Sequence, residues 1–207
     1  ENYVIRMKFP QEGVTVCEDI IFGKVRVNNR DVEDQVLLKA DGFPTYHLAV
    51  VVDDHLMGIT TAIRGVDWLP SYPKHIKLYE MFGWEPPKFA HLPLILNPDG
   101  KGKLSKRHGA FPVSQILRKG YLKEAVMNYA MLCGWAPKPE VAHQDEIYTE
   151  KDLIELFELE RVHKTPARYD QMKFDYINSK HIKRLTLDEL TETVIHWAKK
   201  YVQGSFM

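Results

Sequence analysis

Lys101-Gly102-Lys103-Leu104-Ser105-Lys106-Arg107-His108-Gly109 packs four basic side chains, one serine hydroxyl and two glycines into nine residues. The wider stretch from Gly100 to Lys123 carries Lys101, Lys103, Lys106, Arg107, Arg118, Lys119 and Lys123 and no acidic residue. Such a loop suits a polyphosphate. Glycines let the backbone approach closely, ammonium groups act as point charges, and a guanidinium can clamp oxygens in pairs. A generic lysine-rich loop is more often a solvated surface. Here the order Lys-Leu-Ser-Lys-Arg is more specific than charge alone.

That pentapeptide resembles the KMSKS signature of class I aminoacyl-tRNA synthetases, with Leu104 in place of methionine. The flanks extend the match. Asp41-Gly42-Phe43-Pro44-Thr45-Tyr46-His47-Leu48-Ala49, Val52-Asp53-Asp54-His55-Leu56-Met57-Gly58 and Ile63-Arg64-Gly65-Val66-Asp67-Trp68 resemble bacterial-type glutamyl-tRNA synthetase. So do His91-Leu92-Pro93-Leu94, Gly120-Tyr121-Leu122, Asn128-Tyr129 and Gly134-Trp135. The resemblance implies an α/β fold. It would be the second half of a Rossmann-type nucleotide-binding domain, with a small β-rich piece before it and a helical stem-contact region after it. The implied divisions are residues 1–43, the end of an inserted acceptor-binding domain; 44–107, the catalytic half with its lysine loop; 108–185, the stem-contact region; and 186–207, the start of an anticodon-binding domain. The second class I signature, HIGH, has no counterpart in these 207 residues. The half that carries it is expected upstream.

The resemblance also implies a chemistry. Glutamate and ATP would give glutamyl-adenylate, and the glutamyl group would pass to the 3′ end of tRNA(Glu). Lys103 and Lys106 are the implied catalytic residues. Asp67, Trp68, Ile95, Leu96, Lys103, Leu104, Ser105, Lys106 and Arg107 are the implied ATP contacts, with Ile95 and Leu96 offering backbone groups. Tyr46, Val50 and Arg64 match the glutamate-binding positions. Mg2+ would accompany ATP, held by its phosphates, and no protein metal site is expected. Val50 departs from the family's asparagine and cannot hydrogen-bond. Asp67 replaces a common glutamate. For Arg64 the bland alternative is an ion pair with Asp53 or Asp54, because an unpaired buried guanidinium is costly. Asp53-Asp54 itself reads better as structural than as a metal pair.

The residues read without the family are consistent with this. The chain has 44% hydrophobic and 27% charged residues and no net charge, as an ordinary globular protein does. No apolar run is long enough for a membrane helix, and no signal peptide is visible. Cys17 and Cys133 suggest neither a disulfide framework nor a zinc cluster, which fits a cytoplasmic setting. A monomer is expected. Short β-branched runs at 14–17, 24–28 and 35–39 predict strands. Residues 45–57 are ambiguous between strand and helix, since three valines oppose Pro44 and Gly58 as helix punctuation; the family favours a helix. Residues 59–64 and 89–96 predict strands, and residues 71–82 a helix stopped by Gly83. Asn97-Pro98-Asp99-Gly100 is turn chemistry. Helices are predicted over 122–133, from Thr149, after Thr165-Pro166, and from Thr186, with capping boxes at Thr149 and Thr186.

Two other functions deserve weighing. A short paralogue that glutamylates queuosine in tRNA shares the arginine and lysine-loop motifs, but it lacks the later helical segments. Asn128-Tyr129, Asp152-Leu-Ile-Glu-Leu-Phe157 and Tyr176-Ile177-Asn178 argue against it. A non-catalytic tRNA-binding module would use the basic loop and helices on RNA phosphates alone. Glutaminyl-tRNA synthetase is disfavoured because Arg64 suits a carboxylate better than an amide. Half a preorganised site loses most transition-state stabilisation. The 207 residues by themselves are therefore expected to show no glutamate-dependent ATP–pyrophosphate exchange; robust exchange would overturn that expectation.

Overall fold

The computed structural model describes residues 3–105 and 111–202. It divides into two compact units, Glu1–Leu92 and Pro93–Met207. Strands tie both ends of the first unit together.

In the first unit β1 (Ile5–Arg6) pairs with β4 (Val36–Leu38). A four-stranded sheet has the order β3-β2-β6-β5, from β2 (Val14–Asp19), β3 (Gly23–Asn28), β5 (Thr61–Gly65) and β6 (Lys88–Leu92). β2 and β3 form an antiparallel hairpin, while β6 runs parallel to both β2 and β5. Along β2 Val14, Val16 and Glu18 are exposed and Thr15, Cys17 and Asp19 are buried in between, reading the pleat's period of two. The N-terminal β piece is thus part of the same sheet as the βαβ unit. Its junction is short: β2 meets β6 at Asp19 beside Phe89, with Ile20 N donating to Phe89 O at 2.8 Å. A buried hydrogen-bonded pair reinforces it. His91 Nδ1 lies 2.7 Å from Asp19 Oδ2, both side chains being wholly buried, while Asp19 Oδ1 accepts from Ile21 N at 2.9 Å and Phe22 N at 2.8 Å.

Residues 46–56 form α1 (Tyr46–Leu56), so tertiary packing overrides the β preference of the three valines. Val51 is completely buried against the core. α2 (Tyr72–Phe82) has Pro73 in its first turn and ends at Gly83 with φ 67°, the left-handed stop that the sequence predicts. A 3₁₀ helix over Val66–Ser71 leads into it. β5, α2 and β6 make the expected parallel βαβ unit.

The strand expected over 89–96 is two strands. β6 ends at Leu92, and β7 (Ile95–Leu96) pairs instead with β8 (Ala167–Arg168) in the second unit. Pro93 between them has no N–H to give a ladder, so the pairing breaks there. β8 also intervenes between Thr165-Pro166 and the helix expected after it. That helix is α6 (Gln171–Arg184), capped by Asp170. α3 (Val113–Arg118), α4 (Lys123–Leu132), α5 (Glu150–Leu156) and α7 (Leu187–Tyr201) complete the unit. Both capping boxes are present, at Thr149 with Asp152 and at Thr186 with Glu189. The core packs α4 on α6, with Tyr129 stacked on Phe174 at 4.4 Å. Buried Asn128 accepts from Tyr148 N and faces His181 Nε2, each at 3.0 Å, and donates to Glu146 O. Trp197 of α7 donates to Leu117 O at 3.1 Å, so the last helix is packed into this unit. Each unit holds one buried free cysteine, Cys17 in the first and Cys133 in the second. Burial pushes the Cys17 thiol up to about 12 and raises that of Cys133.

Removing the Asp19 carboxylate orphans two backbone N–H groups and a buried imidazole. Asp19→Ala is expected to cost roughly 3–5 kcal/mol in unfolding free energy, read from the urea midpoint.

Candidate active site

Three elements of the first unit converge on one arginine. Arg64 sits near the carboxyl end of β5, where open α/β sheets place their ligands. Its side chain is 9% exposed and its guanidinium lies 5.2 Å above the Phe89 ring. Arg64 Nη2 is 3.4 Å from Asp54 Oδ2, a long contact from the last turn of α1. Arg64 Nη1 is 2.5 Å from Nδ1 of His75, a fully buried residue of α2. His75 Nε2 in turn is 3.0 Å from His47 Nδ1. Of the two alternative partners considered for Arg64, Asp54 is the one in contact, while Asp53 is exposed.

α1 is aimed by its first turn. Thr45 N donates to Leu37 O at 2.8 Å and its hydroxyl to Val36 O at 2.7 Å, which pins the helix start to β4. Tyr46, Val50 and Asp54 then follow at i, i+4 and i+8 along one face. Tyr46 is 45% exposed and Trp68 39%, and their rings are 4.5 Å apart. Together they make an open aromatic shelf, with the His47 ring 6.3 Å from Trp68. Val50 is half-buried and packs against the core. Asp67 is exposed, and its carboxylate folds back so far that a Cβ on Gly65 would lie 2.8 Å from Oδ1. Gly65 was not singled out from sequence, and this close approach is its structural reason.

In the second unit β7 opens a short hairpin. Asn97 N donates to Gly102 O, Gly100 N to Asn97 O at 2.8 Å, and Leu104 N to Ile95 O at 2.7 Å. Gly100 and Gly102 both have positive φ, 76° and 75°, which this turn requires. Over Gly100 lies the Arg168 side chain, 2.8 Å from where a Cβ would stand. The hairpin thereby delivers exposed Lys103 and half-buried Leu104 and Ser105. Lys106 and Arg107 lie outside the described residues. The carbonyls of Ile95 and Leu96 already accept from Leu104 N and Tyr169 N, so an adenine contact there would use their second lone pairs or N–H groups. Among the described residues, no group of three or more His, Cys, Asp or Glu side chains could hold a metal ion, and no helix is long and apolar enough to cross a membrane.

The candidates therefore fall into two sets: Tyr46, Val50, Arg64, Asp67 and Trp68 in the first unit, and Ile95, Leu96, Lys103, Leu104 and Ser105 in the second. Sequence reasoning missed His47 and His75. The signal was available for His75, which lies three residues after Tyr72 and three before Leu78 on the buried face of α2.

Comparison with known proteins fits this architecture. Residues 1–176 match the class I tRNA synthetase (E and Q) catalytic domain, and the chain belongs to that family. The glutamate–tRNA ligase of Alkaliphilus metalliredigens is 51% identical over 195 residues, covering 94% of this chain and 38% of that protein. That of Chlorobaculum parvum is 48% identical over 192 residues, covering 93% and 38%. A crystal structure of a glutamate tRNA ligase from Elizabethkingia meningosepticum, in complex with its amino acid, superposes with a TM-score of 0.85 at 39% identity, covering 100% of this chain and 43% of that one. The chain thus spans about two-fifths of the length of these relatives.

Burial and the Arg64 charge hold the His75 imidazole down at about 3, and burial with the charges of Lys74 and Arg64 lowers His47. An unfolded histidine near 6.5 binds a proton that the folded one refuses. For His75 stability is therefore full above about pH 6.5 and falls as the pH drops toward 3, by up to roughly 1.4 kcal/mol per pH unit, and His47 adds a smaller loss in the same direction. The expected outcome is a melting temperature that declines more steeply with acid in the wild type than in His75→Gln.

Proposed function

We propose that the protein carrying this chain is a glutamate–tRNA ligase: it activates L-glutamate with ATP and transfers it to tRNA(Glu). The carrying observation is Arg64, a nearly buried guanidinium at a strand's carboxyl end, beside an open aromatic shelf. Its Asp54 partner is distant at 3.4 Å. Arg64 has five N–H donors, so a substrate carboxylate can be added beside Asp54 and His75. Tyr46 and the apolar wall of Val50 border the same place, and Trp68 suits packing on a ribose or the substrate.

In this reading a glutamate carboxylate oxygen attacks the α-phosphorus of ATP. The bond to pyrophosphate breaks, and the leaving group carries away the negative charge. No side-chain nucleophile is needed; positioning and charge neutralisation do the work. Lys103 and Lys106 neutralise the pyrophosphate, with Ser105 and Arg107 beside them. Leu104 tethers the loop through its bond to Ile95 O. Asp67 and Trp68 take the nucleoside side. Mg2+ enters with the ATP phosphates. The four sequence divisions, with residues 108–185 on the tRNA stem, and a cytoplasmic monomer belong to the same proposal.

The test is glutamate-dependent ATP–pyrophosphate exchange by the full-length protein, with Arg64→Ala and Arg64→Lys measured alongside for glutamate KM and melting temperature. Both variants are expected to raise KM, alanine by about 100-fold or more, since truncating one partner of a buried charge pair commonly costs several kcal/mol. Lysine keeps the charge but loses the planar fork. A lowered melting temperature with unchanged KM would make Arg64 the structural partner of Asp54 and nothing more.

A further inference from the structure

The buried His75 touches both Arg64 and His47. Its protonation is decided by geometry. A guanidinium can only donate, so at 2.5 Å from Arg64 Nη1 the Nδ1 of His75 must accept. The single proton of the neutral ring is then on Nε2. That proton points along the 3.0 Å contact to His47 Nδ1, which must accept in its turn. His47 is left with its proton on Nε2. It is half-exposed, in edge contact with Tyr46 at 5.8 Å between ring centroids, and its Nε2 has no protein partner among the described residues. The opposite polarity is closed, because it would set a ring N–H against the Arg64 N–H groups.

We propose that His75 is a positioning residue of the amino-acid site, which orients the Arg64 guanidinium through Nδ1 and, through Nε2, fixes His47 as an N–H donor at the aromatic shelf for an anionic oxygen of the substrate. The inference rests on the reading of Arg64 as a substrate-carboxylate partner. Asp54 alone leaves the guanidinium underdetermined, since one long contact permits rotation about the side-chain torsions. The His75 contact and the Phe89 ring beneath supply the missing constraints. In His47 the consequence is a donor in place of the acceptor that the other tautomer would offer. An acceptor would repel a carboxylate or phosphate oxygen.

The polarity is tested first, by nitrogen-15 spectroscopy of the histidines in the wild-type full-length protein at neutral pH. Unprotonated-type signals are expected at Nδ1 of His75 and His47, and protonated-type signals at both Nε2. A proton on His75 Nδ1 overturns the relay whatever the protein does. The positioning role is tested in the full-length protein by glutamate KM and kcat for exchange, with L-glutamate as the ligand. His75→Phe keeps the ring volume and removes both contacts; it should raise glutamate KM at least about tenfold, with a smaller change in kcat. His75→Gln retains one acceptor and one donor and should recover much of the loss. Wild-type KM in a folded His75→Phe overturns the proposal, as does a His75→Gln variant no better than phenylalanine. Wild-type protein without glutamate-dependent exchange would instead remove the functional reading and with it the substrate role, while the spectrum would still decide the relay.

Discussion

The first unit depends on one buried carboxylate. Asp19 ends β2, and the parallel pairing of β2 with β6 is short, so little backbone bonding holds the hairpin to the βαβ unit. The carboxylate makes up for this with three contacts at one point: two N–H groups of its own turn and the His91 imidazole on β6. A buried charge is costly unless its lone pairs are met, and here they are. Tyr72 closes the cluster, with its ring 5.3 Å from that of His91 and its hydroxyl donating to Glu18 O at 2.7 Å. Strand order and the seat of α2 meet there.

The candidate site grows from the same layer. β5 and β6 are in parallel register, with Arg64 opposite His91 and Ala62 opposite Phe89. Phe89 is thus a floor for the guanidinium, and α2 supplies His75 from above. A rigid strand and a rigid helix hold the arginine while α1, fixed at its start by Thr45, brings Asp54 to it and Tyr46 to the neighbouring His75 ring. Sites built on regular elements in this way are held more tightly than those on loops. The lysine loop is organised differently. A two-residue strand and a glycine-bearing turn carry it, so its described part is ordered by backbone hydrogen bonds and by the Arg168 side chain lying over Gly100.

How much of this was legible in the sequence depended on where the signal lay. Gly83, Thr149 and Thr186 mark their helix ends by local chemistry, and each is found in that role. The Arg64 strand and the lysine hairpin were found through motif and turn chemistry. The helical state of Val50, Val51 and Val52 was not decided by propensity, because what favours it is burial of Val51 against strands far away in sequence. Pro93 was visible, yet its effect on pairing was not, since β7 finds its partner at Ala167–Arg168, more than seventy residues on. Asp19, His47 and His75 share that difficulty. Each draws its meaning from partners 11 to 72 residues away.

The two cysteines have a practical consequence. One thiol is buried in each compact unit, and burial raises the pKa of both, so little thiolate forms at neutral pH. A thiol-specific reagent therefore finds its nucleophile only when the surrounding unit opens. Cys17 and Cys133 are in effect two native labels, whose alkylation rates, read separately by peptide mass, time the local unfolding of each unit without any residue being introduced.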